Sequence, residues 1–233
     1  MNGSVRSENV ATVLSLSPAK ATAEDPLSLF AAVLTKAKTL WMAATYPFAG
    51  FGRRVSIHYS CDIRRSGASR IAIGNSVYVA PGTWLNIPEP ANGRAPTIIL
   101  KNGCKIGRRC MISARNCVLL EEDVMLGPSV LITDHSHEFS NLDLPIHAQG
   151  LTAGGTVRIE PNCWLGYGAA IICTSGELVV GRNSVVGANA VVTRSVPPFS
   201  VVAGNPASVI RRYDPKTERW IKGEFSTSAP VGK

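Results

Sequence analysis

Two imidazoles two residues apart are the groups in this 233-residue chain best suited to moving a proton. They are His135 and His137, in the stretch Thr133-Asp134-His135-Ser136-His137-Glu138-Phe139. That stretch runs into a polar loop containing Pro145, His147, Gly150, Gly154 and Gly155. A neutral imidazole titrates close to neutrality and can take the proton of a hydroxyl as its oxygen attacks a carbonyl. If the local strand persists through the pair, both rings project to the same side, so His135 is either a partner of His137, a substrate contact or the base itself. The oxyanion formed in such an attack needs donors, which backbone N–H groups beside a glycine-rich turn would supply. Cys173 is the nearest thiol, but no base accompanies it locally, and nucleophilic catalysis is not expected.

The elements that must hold this loop come from a six-residue repeat running from about residue 55 to 206. An aliphatic residue recurs with a small or acidic residue after it and a small or apolar one four places on. Examples are Ile73-Gly74 with Val77, Ile106-Gly107 with Cys110, Leu126-Gly127 with Val130, Leu165-Gly166 with Ala169, and Val186-Gly187 with Ala190. Six is a multiple of the two-residue strand period, so the same positions face inward on every short strand, and an α-helix cannot keep that register. Three steps close one triangular coil of about 18 residues, and coils stack at about 4.8 Å; this length predicts about eight of them. Three departures from the spacing stand out: Pro88 to Pro96, Cys173 to Val179, and the loop 133–156. A regular prism has flat walls, so a projecting loop is how it makes a cleft.

Around this core, residues 1–25 read as a mobile arm, and 26–46 as an amphipathic helix opened by Asp25-Pro26. The β-helix domain covers 47–212, and 213–233, with its own Asp214-Pro215, reads as a short capping helix and tail. The fold class expected is therefore all-β, a parallel β-helix of hexapeptide repeats with an N-terminal and a short C-terminal helix. Lys36 and Lys38 could make the first helix a membrane-surface element, but so few basic residues line it that packing against its own domain is the commoner explanation and the one expected. Val10 to Leu16 followed by Ala21-Thr22-Ala23 only faintly resembles a signal peptide.

Composition agrees with a thin repetitive core: 45% hydrophobic, 6% aromatic and 17% charged. A net charge of +8 calls for an anionic partner. The basic residues lie mostly between apolar repeat positions, however, which reads first as a solvated face and not as a nucleic-acid surface. The six cysteines contain no C-x-x-C pair and fall largely in apolar frames, as small buried side chains do in a reducing, cytoplasmic setting. No uninterrupted run of about 18 apolar residues occurs, so no membrane span is expected.

The repeat and its breaks resemble the hexapeptide-repeat acyltransferases, in the galactoside, maltose and nodulation-type O-acetyltransferase branch. The resemblance rests on Cys163-Trp164-Leu165-Gly166, on the run from Val180 to Arg194, and on Val196-Pro197-Pro198 and Val202-Ala203-Gly204-Asn205-Pro206-Ala207. It implies a left-handed helix, a homotrimer, and direct transfer of an acetyl group from acetyl-CoA, with no metal. In that family the general base is a histidine nine residues after the proline of an I-G-P-N-V-like step. Counting from Pro128 in Leu126-Gly127-Pro128-Ser129-Val130 without a gap gives His137.

Further family contacts carry over as expectations. Trp164, Tyr167 and Gly168 would line the acyl-CoA channel, Ala188, Thr193 and Arg194 would contact pantetheine, and Arg211 would approach the nucleotide phosphates. Two positions depart from the pattern: Ser208 stands where a basic residue commonly follows the N-P-A step, and Ala114 stands where the branch has an asparagine. Asn116 is the candidate to contact the acceptor in its place. The Asp-His-Ser-His-Glu loop, with Pro145-Ile146 and Gln149-Gly150, looks most like relatives that modify polysaccharide precursors, so the expected acceptor is a sugar hydroxyl. Two other readings stay open. A γ-carbonic-anhydrase-like hydratase would need three converging histidines and an H-x4-H step that His135, His137 and His147 do not form. A non-catalytic binding solenoid would use the basic wall.

Overall fold

In the computed structural model, which describes residues 26–88 and 96–225, three parallel sheets wrap around one narrow core. The first wall stacks Gly50–Phe51, Ile71–Ile73, Ile98–Leu100, Cys117–Leu120, Thr156–Ile159 and Glu177–Val180. The second stacks Ser56–Ile57, Tyr78–Val79, Lys105–Ile106, Met125–Leu126, Trp164–Leu165, Val185–Val186 and Ser200–Ala203. The third stacks Asp62–Ile63, Trp84–Asn86, Met111–Ser113, Leu131–Thr133, Ala170–Ile172 and Val191–Val192. The chain visits the walls in that order in every coil.

Register explains why the repeat folds this way. Ile106, Leu126, Leu165 and Val186 are Cα partners up the second wall, and Ile112, Ile132, Ile171 and Val192 up the third, so like side chains stack on like. All of these lie in the buried core. The small residues four places on, among them Val77, Cys104, Cys110, Ala169 and Ala190, are buried too, where the chain re-enters a wall after a corner. The first two corners turn on residues held in the left-handed region, such as Ser76, Asp123, Asn162 and Asn183 at φ of 56–57°. Asparagine and aspartate tolerate that conformation better than most residues.

The third corner, between the third and first walls, is different. Among the described residues the long excursions leave from it: the 3-10 turn Arg65–Arg70 and the loop after Thr133. The excursion at 65–70 has no clear signature in the repeat. Because these segments consume residues outside the walls, the chain completes about seven coils, not about eight, the last marked by the Val180 to Val196 bridge.

The two ends are closed by unlike means. The helix Pro26–Thr45 lies across the first coil, where the Thr39 hydroxyl accepts a hydrogen bond from the Ile57 N–H at 3.0 Å and lies 3.1 Å from its carbonyl. Lys38 Nζ donates to the Tyr59 and Cys61 carbonyls at 2.7 and 2.8 Å. At the other end there is no capping helix over 214–222. Strands Ser208–Asp214 and Arg219–Phe225 instead form a hairpin that extends the second wall antiparallel. Asp-Pro signals a turn as readily as a helix start, and here the Asp214 carboxylate accepts from the Lys216 N–H and the Thr217 hydroxyl, which is turn chemistry. The arm 1–25 and the tail from 226 lie outside the described residues.

Candidate active site

At the third corner of the fourth coil, Thr133 ends its strand and the next side chain, Asp134, turns into the protein, where it is wholly buried. Its carboxylate accepts the N–H of Arg115 at 2.8 Å through Oδ1, and those of Asn116 and Cys117 at 2.7 and 2.9 Å through Oδ2. Those three amides belong to the corresponding corner one coil earlier, so a single carboxylate ties two coils together. Oδ1 also meets His135 Nδ1 at 2.8 Å, and the His135 side chain is only 9% exposed.

Burial acts to raise the carboxyl pKa of Asp134. The hydrogen bonds from His135 and from the Arg115 and Asn116 amides, together with the His135 charge, outweigh it and hold the pKa below its ordinary value. An ionised carboxylate only accepts, so His135 Nδ1 must be the donor. In the neutral ring the free lone pair then sits on Nε2, which is the form a general base requires.

The excursion closes on itself as two antiparallel legs. Glu138 N–H donates to the Gly150 carbonyl and Thr152 N–H to the Ser136 carbonyl, with His137 paired to Leu151 by backbone. Arg115 Nη1 fastens the returning leg through the Leu151 and Thr152 carbonyls at 3.1 and 3.0 Å, and Asn116 Nδ2 does so through Ala153 and Gly155 at 2.9 and 3.1 Å. Gly154 must be a glycine: at φ +77° a Cβ would stand 2.6 Å from the Asp134 carbonyl oxygen and 3.3 Å from His135 Cβ. The loop tip leaves Phe139, Leu142, Leu144 and Ile146 exposed.

The residues expected from sequence separate into groups. His135 and His137 share the corner but not an environment: the His137 ring is exposed and makes no hydrogen bond or ion pair among the described residues. The side-chain amide of Asn116 is engaged in holding the loop. Thr193 and Arg194 are exposed at the same corner two coils on. Tyr167, Gly168 and Ala188 lie instead at the second corner, across the third wall, and Trp164 stands half exposed on the second wall beside Met125 and Val185. Arg211 is exposed on the terminal hairpin. His147 lies in the short 3-10 turn Ile146–Ala148 of the loop.

Among the described residues no three His, Cys, Asp or Glu side chains converge to hold a metal ion. Cys173 is buried, with its thiol 3.3 Å from the Ser175 carbonyl. Asp134 and Arg115 are the residues of this corner that sequence reasoning did not single out. The Asp-His dipeptide is the signal that could have found the first, and nothing local could have found the second.

No protein-family model matches the chain. It is 29% identical over 173 residues to WbbJ of Escherichia coli K12, named as a lipopolysaccharide biosynthesis O-acetyl transferase, covering 71% of this chain and 83% of that protein. It is 30% identical over 132 residues to the Mycobacterium tuberculosis protein Rv3034c, named as an acetyltransferase, covering 56% of this chain and 43% of the relative. A Schizosaccharomyces pombe protein, C18B11.09c, also named as an acetyltransferase, is 33% identical over 106 residues, 42% of this chain and 48% of its own. The chain thus spans most of the first relative and under half of the other two.

Among solved structures it superposes on AntD, an N-acyltransferase from Bacillus cereus crystallised with dTDP and 3-hydroxybutyryl-CoA. The TM-score is 0.61 at 17% identity, covering 78% of this chain and 90% of AntD. The fold is accordingly the left-handed parallel β-helix seen in such acyltransferases. With its repeat and its relatives, the chain is similar to the hexapeptide-repeat acyltransferases.

Proposed function

We propose that this protein transfers an acetyl group from acetyl-CoA to a hydroxyl of a sugar or polysaccharide precursor, with His135 as the general base. The observation that carries the reading is the buried Asp134 carboxylate bonded at 2.8 Å to His135 Nδ1, which orients the ring and leaves Nε2 to accept a proton. The relatives' names, acetyltransferases and one lipopolysaccharide O-acetyl transferase, support the donor and the class of acceptor. His137, first by the ungapped count from Pro128, has no comparable support: its ring is exposed and lacks a partner that would fix its tautomer.

In the proposed step, the acceptor oxygen attacks the thioester carbonyl while its proton passes to His135 Nε2. The resulting oxyanion collapses, the C–S bond breaks, and the coenzyme A thiolate leaves with the proton that the imidazolium returns. Asp134 stabilises the imidazolium without taking its proton. Asn116 and Arg115 act as positioning residues, because they hold the returning leg of the loop against the Asp134–His135 pair.

The expected acyl-CoA contacts Tyr167, Gly168 and Ala188 lie across the third wall from His135. A donor lying along them reaches the base either by crossing that wall or from a second copy, and we propose a homotrimer in which neighbouring subunits complete the site. The test is incubation with acetyl-CoA and a panel of sugars and nucleotide-sugars, following thiol release, with the mass of the assembly measured by light scattering. Acceptor-dependent thiol release is expected; its absence across the panel contradicts the reading.

A further inference from the structure

The helix Pro26–Thr45 is apolar on both faces, and among the described residues only one face is buried. Thr39 and Met42 are buried against the first coil, while Leu29, Phe30, Val33, Leu40 and Trp41 are each half or more exposed. At 100° per residue those five side chains form a continuous stripe about 120° wide on the side away from the solenoid. The segment Leu27–Thr45 is long and apolar enough to cross a membrane by length and composition. Its hydrogen bonds through Thr39 and Lys38 to the first coil, however, hold it flat across the end of the prism.

Charge at this end provides the second observation. The helix has Lys36 and Lys38 and no acidic residue, and the coil beneath it exposes Arg53, Arg54, Arg64 and Arg65 against a single acid, Asp62. None of these four arginines has an ion-pair partner among the described residues. The electropositive setting reaches His58, whose pKa is lowered by burial and then by Arg108 and Lys38. Beside the helix, Lys36 and Arg54 line an open groove together with Thr35, Leu40, Val55 and Tyr78.

An apolar stripe with basic flanks suits an interface of acyl chains below phosphate head groups. Pairing two copies through the same stripe would bring their arginines together, and the stripe is wider than the narrow seam of a helix pair. We propose that the N-terminal end of the solenoid docks on an anionic membrane surface, the outer face of the helix lying in the interface and the arginines of the first coil against lipid phosphates. The helix packs on its own domain as the sequence led one to expect, through Thr39 and Met42, and the proposal concerns its other face; it is independent of the acceptor assignment.

The test is flotation of the full-length protein with phosphatidylcholine vesicles, with and without phosphatidylglycerol. Flotation is expected only with the anionic vesicles, reduced by high salt, and about tenfold or more weaker for Val33→Glu/Leu40→Glu and for Arg53→Glu/Arg54→Glu. Circular dichroism of both variants reports whether the solenoid is intact. Wild-type protein that fails to float with anionic vesicles at low salt overturns the proposal, as does undiminished flotation of folded variants. Loss of a larger assembly in the helix variant, with no vesicle binding by the wild type, assigns the stripe to contact between copies and overturns it equally.

Discussion

The three walls and the third corner are built from the same chain by opposite means. In the walls, aliphatic side chains stack on their counterparts one coil away, and the same pairing is repeated from coil to coil. At the corner, one buried carboxylate accepts three backbone N–H groups from the neighbouring coil and an imidazole besides. Redundant apolar packing gives stability that is spread out; a concentrated polar network gives a defined geometry with little redundancy. The catalytic proposal rests on the second kind of construction.

That contrast is broken most severely at Asp134. Asp134→Ala leaves the Arg115, Asn116 and Cys117 amides without their acceptor, and unfolding by denaturant should show a loss of about 4 kcal/mol or more. The same variant tests the electrostatics. A folded-state pKa held below the unfolded value of about 3.9 contributes stability that is present above that pH and lost as pH falls through the folded value. The wild type should therefore lose more stability than Asp134→Ala on acidification below about pH 4; parallel acid profiles would show that the carboxylate is not held in its charged form.

Ile171→Ala removes one member of an aliphatic stack and leaves the corner network untouched. Ile171 is fully buried in the third wall next to Ile132 and Val192, and its truncation should cost about 3 kcal/mol while acyl transfer by the folded fraction is unchanged. A fall in turnover at full folding would mean that wall packing shapes the site directly.

The walls were legible in the sequence because a strand period of two and a step of six reinforce each other at short range. Val77, Cys104 and Ala169 could each be placed from residues within four positions. The corner network was not legible, because the partners of Asp134 lie 17 to 19 residues back and meet it only through coil stacking. The same limit explains the choice between the two histidines. Counting from Pro128 singles out His137, but the loop's path puts His135 on the buried acid.

At Asp214-Pro215, a local signal shared by turns and helix starts was resolved by strand pairing with the second wall. Along residues 26–45, apolar periodicity announced a helix but did not say that, among the described residues, the Thr39 and Met42 side is the buried one.

The most direct measurement is acetyl-CoA-dependent turnover of His135→Ala beside His137→Ala, each checked for folding, with an acceptor the wild type uses. The His135 variant should lose about a thousandfold in kcat/KM and the His137 variant less than about tenfold. Normal turnover of His135→Ala together with a dead His137→Ala would contradict His135 as the base.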